Sequence, residues 1–135
     1  MAKLATLYGL VEPIRTRAQE GMPVFGTCAG MIAMASRVED GEPLLSIMDI
    51  GVRRNAYGRQ VDSFESDVEV IGLGPVRAVF IRAPLVESVG DGVEILAAHA
   101  GSPILVRQSN MLAAAFHPEI AGDPRIHALL LSLAS

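Results

Sequence analysis

The seven residues Val24-Phe25-Gly26-Thr27-Cys28-Ala29-Gly30 restrict this chain more than any other stretch of it. A short apolar run meets a glycine, a cysteine sits between small residues, and a second glycine opens an apolar stretch with helical spacing. This is the cysteine form of the G-x-S-x-G elbow, in which a strand turns sharply into a helix. Such a turn forces its central residue into a strained backbone conformation, and small neighbours relieve the crowding. A cysteine so placed stands at a helix N-terminus, where unpaired N–H groups favour thiolate over thiol. The N–H of Ala29 points at the same spot and is suited to donating to an oxyanion. The pattern equally fits an inert, buried cysteine in a glycine-rich turn, because short motifs often match by chance.

A cysteine nucleophile needs a base, and the chain has three histidines. His117 follows the apolar run 111–116 and precedes Pro118-Glu119. Residues two apart in an extended segment project to the same side, so Glu119 is placed to orient His117. Pro118 favours that extended conformation in the residue before it. An imidazole held by a carboxylate at a strand end is the third-group logic of a catalytic triad. The alternative is a loop histidine beside a solvated glutamate. His99, before Ala100-Gly101, and His127, in the last helical pattern, have no such neighbour and read as structural or surface residues. One cysteine and three scattered histidines lack metal-ligand spacing, so neither a metal nor another cofactor is expected.

The remaining pattern describes one α/β domain over residues 1–135. Leu4, Leu7, Leu10, Val11, Ile14 and Ala18 share a helical face across residues 3–20, with a kink or break expected near Glu12 because of Pro13. Gly26–Gly30 opens a second helix carrying Met31, Ile32, Met34 and Ala35. After Gly41-Glu42-Pro43 the character turns to β. Phe64, Ser66, Val68 and Val70 alternate with Glu65, Asp67 and Glu69 as a half-buried strand, and residues 76–83 read as an interior strand. Residues 93–98 and 104–107 are shorter strands, and Ser109-Asn110 turns the latter into residues 111–116 as a hairpin. Asp123 caps a last helix with Pro124 at its first position and Ile126, Leu129, Leu130 and Leu133 as its buried stripe. Helices at both ends of a strand-rich middle indicate a layered α/β domain.

Half of the residues are hydrophobic and 19% are charged, which excludes disorder. A net charge of −4 argues against nucleic acid or an anionic membrane as partner. No apolar run reaches the roughly 18 residues of a membrane-spanning helix, and the first residues lack the apolar core of a signal peptide. A single cysteine allows no intrachain disulfide and suits a reducing cytoplasm.

With Cys28 and His117-Pro118-Glu119 in hand, the chain resembles the class I glutamine amidotransferases, which carry G-x-C-x-G and H-P-E. Two further blocks resemble the PdxT/SNO family, the glutaminase subunits of pyridoxal 5′-phosphate synthase. They are Val52-Arg53-Arg54-Asn55-Ala56-Tyr57-Gly58-Arg59-Gln60-Val61-Asp62-Ser63-Phe64-Glu65 and Val79-Phe80-Ile81-Arg82-Ala83-Pro84. Separate motifs in the family's order support one another. The resemblance implies a three-layer, flavodoxin-like fold with a mixed sheet. It implies hydrolysis of L-glutamine by Cys28, His117 and Glu119, with ammonia passed to a (β/α)₈-barrel synthase subunit in a hetero-oligomer. Arg54, Ile81 and Arg82 match the family's glutamine-binding positions. Arginine suits an α-carboxylate through two parallel hydrogen bonds, although a surface ion pair is the other reading of each. For Ile81 the resemblance leaves core packing and a backbone contact to ligand.

The family's first strand, L-Q-G segment and P-G-G-E-S loop have no counterpart here. The absent portion amounts to about one and a half βαβ units, and that loop supplies the second oxyanion donor. Losing one such donor typically costs roughly 10²–10³ in rate, so the chain alone is expected to lack glutaminase activity. Either Met1 is an internal methionine of a longer protein, or the chain is a catalytically inactive docking module of the same family.

Overall fold

The computed structural model describes residues 9–39, 41–54 and 63–133. Its elements run α1 (Val11–Gln19), β1 (Val24–Thr27), α2 (Ala29–Met34), β2 (Ala35–Val38), β3 (Met48–Arg53), β4 (Ser63–Val70), β5 (Gly74–Ile81), β6 (Leu85–Val89), β7 (Glu94–His99), β8 (Ser102–Gln108), β9 (Met111–Ala114) and α3 (Arg125–Ser132). Among the described residues the strands form three ladders: β1-β9-β8-β7, β2-β3-β6 and β4-β5. The β1/β9 and β2/β3 pairs are parallel and the remaining pairs antiparallel, so the architecture is α/β with mixed pairing.

The first helix corrects its expected form. Leu4 and Leu7 lie outside the described residues. Leu10 precedes the helix as its N-cap and is exposed rather than part of a buried face. Pro13 causes no break, because it occupies the first turn, where its missing N–H would have had no intrahelical partner anyway. Val11 and Ile14 pack against the core and Ala18 is buried within it.

Residues 111–116 are buried throughout, as suits a strand covered on both faces. β9 pairs with β1 through Val24↔Met111 to Thr27↔Ala114 on one side and with β8 on the other. The Ser109-Asn110 turn forms as expected, with Ser109 at φ 54°. The amide of Asn110 donates to the carbonyls of Ala18 and Met22, tying the end of α1 to this hairpin.

β4 keeps its alternation, with Val68 and Val70 buried and Glu65, Asp67 and Glu69 exposed. The expected interior strand 76–83 is instead β5, which among the described residues pairs with β4 alone. Its apolar run reflects burial of Val76, Ala78, Val79 and Phe80 on the body of the molecule, not strands on both sides. Phe80 stacks on Phe64 at 4.6 Å and meets Phe116 at 5.8 Å. Ala35 is not helical: it takes extended geometry and begins β2. β2, β3 and β6 carry no clean alternation and were not anticipated. The last helix starts at Arg125, with Asp123 Oδ1 accepting the Arg125 amide proton at 3.0 Å. Its stripe is as expected, Ile126 fully buried and Leu129, Leu130 and Leu133 packed against the core.

Candidate active site

Cys28 joins the end of β1 to the start of α2. Its N–H donates to the Ala114 carbonyl at 2.8 Å, continuing the strand ladder, while its own carbonyl accepts from Ile32 at 3.2 Å, beginning the helix. Serving both elements forces φ 51° and ψ −104°, a left-handed region costly for a residue with a side chain. A Cβ on Gly26 would stand 2.6 Å from the carbonyl carbon and oxygen of Gly30. The bare α-carbon there is what lets α2 fold back so closely over β1.

The thiol is almost fully covered and donates to the Ala115 carbonyl at 3.4 Å. Burial, and then the negative charge of Glu119, push its pKa up to about 11. The expectation that the helix N-terminus would favour thiolate is therefore overturned. Loss of water around the sulfur and the nearby carboxylate both oppose the thiolate. Ala29 opens α2, and its N–H is among those that no intrahelical carbonyl can satisfy.

His117 arrives on the continuation of β9. Because Thr27 pairs with Ala114 in parallel, the chain leaves β1 and β9 at the same end, and Cys28 and His117 leave with it. The carboxyl ends of parallel strands are where open α/β sheets hold ligands. The His117 N–H donates to the Val79 carbonyl at 2.8 Å, which fixes the backbone of the residue against β5. Its Nδ1 lies 2.7 Å from Glu119 Oε1. Partial burial opposes ionisation of Glu119, but the hydrogen bond from His117, with a backbone hydrogen bond, prevails and holds its pKa below the usual value. A carboxylate only accepts hydrogen bonds, so Nδ1 carries the proton and Nε2 is left as the basic nitrogen.

Ile81 closes β5 and Arg82 follows it, just beyond the Val79 carbonyl that holds His117. Ile81 is 39% exposed, so core packing is not its role. Among the described residues β5 pairs with β4 alone. Arg82 is exposed with φ 46°. Arg54 is exposed one residue beyond the Arg53↔Leu85 pairing, and β6 begins shortly after Arg82. The register therefore brings the chain at Arg54 beside the segment that leads from Arg82 into β6. Among the described residues neither arginine is held in an ion pair, whereas Arg53 bridges Glu39 and Glu87.

His99 packs on Phe64 and Phe80, and His127 sets its ring edge-on to Phe25 at 5.4 Å, so both have packing roles. Among the described residues no cluster of candidate metal ligands occurs. The backbone anchors at Val79 and Ala115 were not legible in the sequence, because a carbonyl contact leaves no mark on residue type. Residues 55–62 of the arginine-rich block lie outside the described residues.

The model of the SNO glutamine amidotransferase family matches residues 1–133. The pyridoxal 5′-phosphate synthase subunit PdxT of a Nocardioides species is 56% identical over 98% of this chain and 71% of its own length. The protein of the same name from Streptomyces griseus is 54% identical over 98% of this chain and 70% of its own. A solved glutamine amidotransferase superposes with a TM-score of 0.94 at 48% identity, over 98% of this chain and 72% of that one. Its fold is the α/β architecture that the sequence resemblance implied. An elbow bearing Cys28, a carboxylate-held His117 and a match along nearly the whole sequence agree, and the chain belongs to the SNO glutamine amidotransferase family.

Proposed function

We propose that this chain, as part of the assembled pyridoxal 5′-phosphate synthase rather than alone, hydrolyses L-glutamine to L-glutamate and ammonia with Cys28, His117 and Glu119, and delivers the ammonia to the barrel subunit. The observation that carries this reading is the 2.7 Å pairing of His117 with Glu119 at the end of the strand that pairs with the cysteine-bearing elbow. The names of the relatives, subunits of pyridoxal 5′-phosphate synthase, support the partner and a hetero-oligomer. An unpaired cysteine fits a reducing cytoplasm as its setting.

The resting thiol is neutral, so its proton leaves as the sulfur attacks. His117 Nε2 takes that proton while Sγ bonds to the amide carbon, and the Ala29 N–H stabilises the oxyanion that forms. Glu119 stabilises the resulting imidazolium through Nδ1–H. His117 then returns the proton to the departing nitrogen, the C–N bond breaks, and a thioester and ammonia result. Water, deprotonated by His117, attacks the thioester; glutamate leaves and the thiol is restored. Arg54 and Arg82 bind the α-carboxylate of glutamine, and the Ile81 backbone contributes a further contact.

The test is ammonia release by the protein assembled with the barrel subunit. Cys28→Ala is expected to abolish glutamine-dependent release while leaving assembly intact. Unchanged release in that variant would overturn the enzymatic reading and leave a docking module.

A further inference from the structure

We propose that Arg125 is a positioning residue for the His117–Glu119 pair, pinning the far end of their loop to the hairpin that already pins the near end. This inference rests on the proposed role of His117 as base. The loop 117–124 leaves β9 with Phe116 buried and the His117 N–H on the Val79 carbonyl of β5. It returns to the same hairpin through one guanidinium. Arg125 Nη1 donates to the Leu73 carbonyl at 3.0 Å and Nη2 to the Pro75 carbonyl at 2.7 Å. Nε and Nη2 also grip the Asp123 carboxylate at 2.6–3.1 Å, and Asp123 Oδ1 accepts the Arg125 amide proton.

The β4–β5 hairpin thus holds the loop at two points, the Val79 carbonyl toward the end of β5 and the Leu73 and Pro75 carbonyls at its start. Pro118 is buried, Glu119 and Ile120 are exposed, and the internal bond is Gly122 N–H to the Glu119 carbonyl at 3.3 Å. Among the described residues, the loop's other side-chain hydrogen bonds are the His117–Glu119 pair itself and the Asp123–Arg125 grip. A planar fork reaching two carbonyls and a carboxylate at once is specific to arginine; a lysine ammonium is a point donor on a flexible stem. With the clamp released, only the Val79 carbonyl of these two anchor points still holds the loop, and the carboxylate-held imidazole loses its fixed position.

The competing explanation is that Arg125 merely secures α3, a task Ile126 shares by burial. Four variants separate the two in the assembled synthase: Arg125→Ala, Arg125→Lys, Asp123→Asn, and Leu133→Ala as a helix-weakening control away from the clamp. A misplacement of 1 Å costs about 10²-fold, so a partial release in Arg125→Ala is expected to lower kcat for glutamine hydrolysis about tenfold with KM within about twofold. Arg125→Lys and Asp123→Asn are expected to show smaller losses of the same kind, and they answer the question if Arg125→Ala does not fold. Leu133→Ala is expected to lower Tm while keeping kcat. Wild-type kcat in the folded clamp variants, or an equal kcat loss in Leu133→Ala, would overturn the proposal. Cys28→Ala is run alongside: activity surviving in it refutes the proposed chemistry, whereas Cys28-dependent activity indifferent to Arg125 refutes only the clamp.

Discussion

Replacing Gly26 with alanine tests the geometry of the elbow directly. The added methyl would lie 2.6 Å from the carbonyl carbon and oxygen of Gly30 and 2.7 Å from Met34 Sδ. The methionine sulfur can swing aside, but the Gly30 backbone belongs to α2 and moves only with the helix. Reaching ordinary contact requires α2 to retreat from β1 by about 0.8 Å, an overpacking that costs about 1–3 kcal/mol. Cys28 is the residue between the two elements, so the nucleophile shifts with the helix. A displacement of that size lowers turnover by roughly 10²-fold. The second glycine of the motif supplies the internal control, since nothing lies within 4 Å of a Cβ built on Gly30. Gly30→Ala is therefore expected to keep or raise stability, by about 0.5–1 kcal/mol from helix propensity. Urea unfolding measures both stabilities, and ammonia release in the assembled synthase measures the activity of Gly26→Ala. A Gly26→Ala protein as stable and active as wild type would refute the reasoning, as would a Gly30→Ala protein equally destabilised.

Three further outcomes follow from the site and its surroundings. With its pKa raised to about 11, Cys28 in the folded, unliganded protein should react with iodoacetamide only as pH climbs past 9.0, the ordinary value that governs the unfolded chain; a folded-state midpoint at or below 9.0 would show that burial does not control this thiol. Glu119→Gln should have two opposite effects, lowering turnover by about 10²–10⁴-fold through loss of imidazolium support while shifting the alkylation midpoint downward, because the charge that opposes thiolate is gone. Hydrogen bonds from Arg125 hold the folded-state pKa of Asp123 down to about 2 against an ordinary 3.8. Its stabilisation is full above the higher value and lost as pH falls through the lower. Thermal melts of wild type and Asp123→Asn should therefore differ near pH 6 and converge near pH 2. The difference is expected to be under about 1 kcal/mol, given the solvent around Arg125, and a constant difference at all pH values would contradict the assignment.

Legibility from sequence varied with how far a residue's partner lies along the chain. The elbow was legible because glycine, cysteine and glycine meet a local steric demand, and His117-Pro118-Glu119 because an extended pair two apart needs no distant partner. The β4 alternation and the stripe of α3 followed from local periodicity. The helical assignment of Ala35 failed because α2 ends where β2 finds β3, a pairing made by residues from Met48 onward. The resemblance implies core packing for Ile81, yet it stands exposed at the end of β5.

By itself the amino-acid order determined which groups are available to react, where the backbone bends sharply, and to which family the pattern is similar. Those are properties of near neighbours in the chain, set by sterics and hydrogen-bonding valence within a few residues. The tertiary structure alone decided the protonation state of the thiol and the anchoring of the imidazole. Both depend on residues far away in sequence, Glu119 and Ala115 around Cys28 and the Val79 carbonyl behind His117. A helix terminus argued for thiolate, but desolvation is a property of the whole packed molecule, and here it prevails.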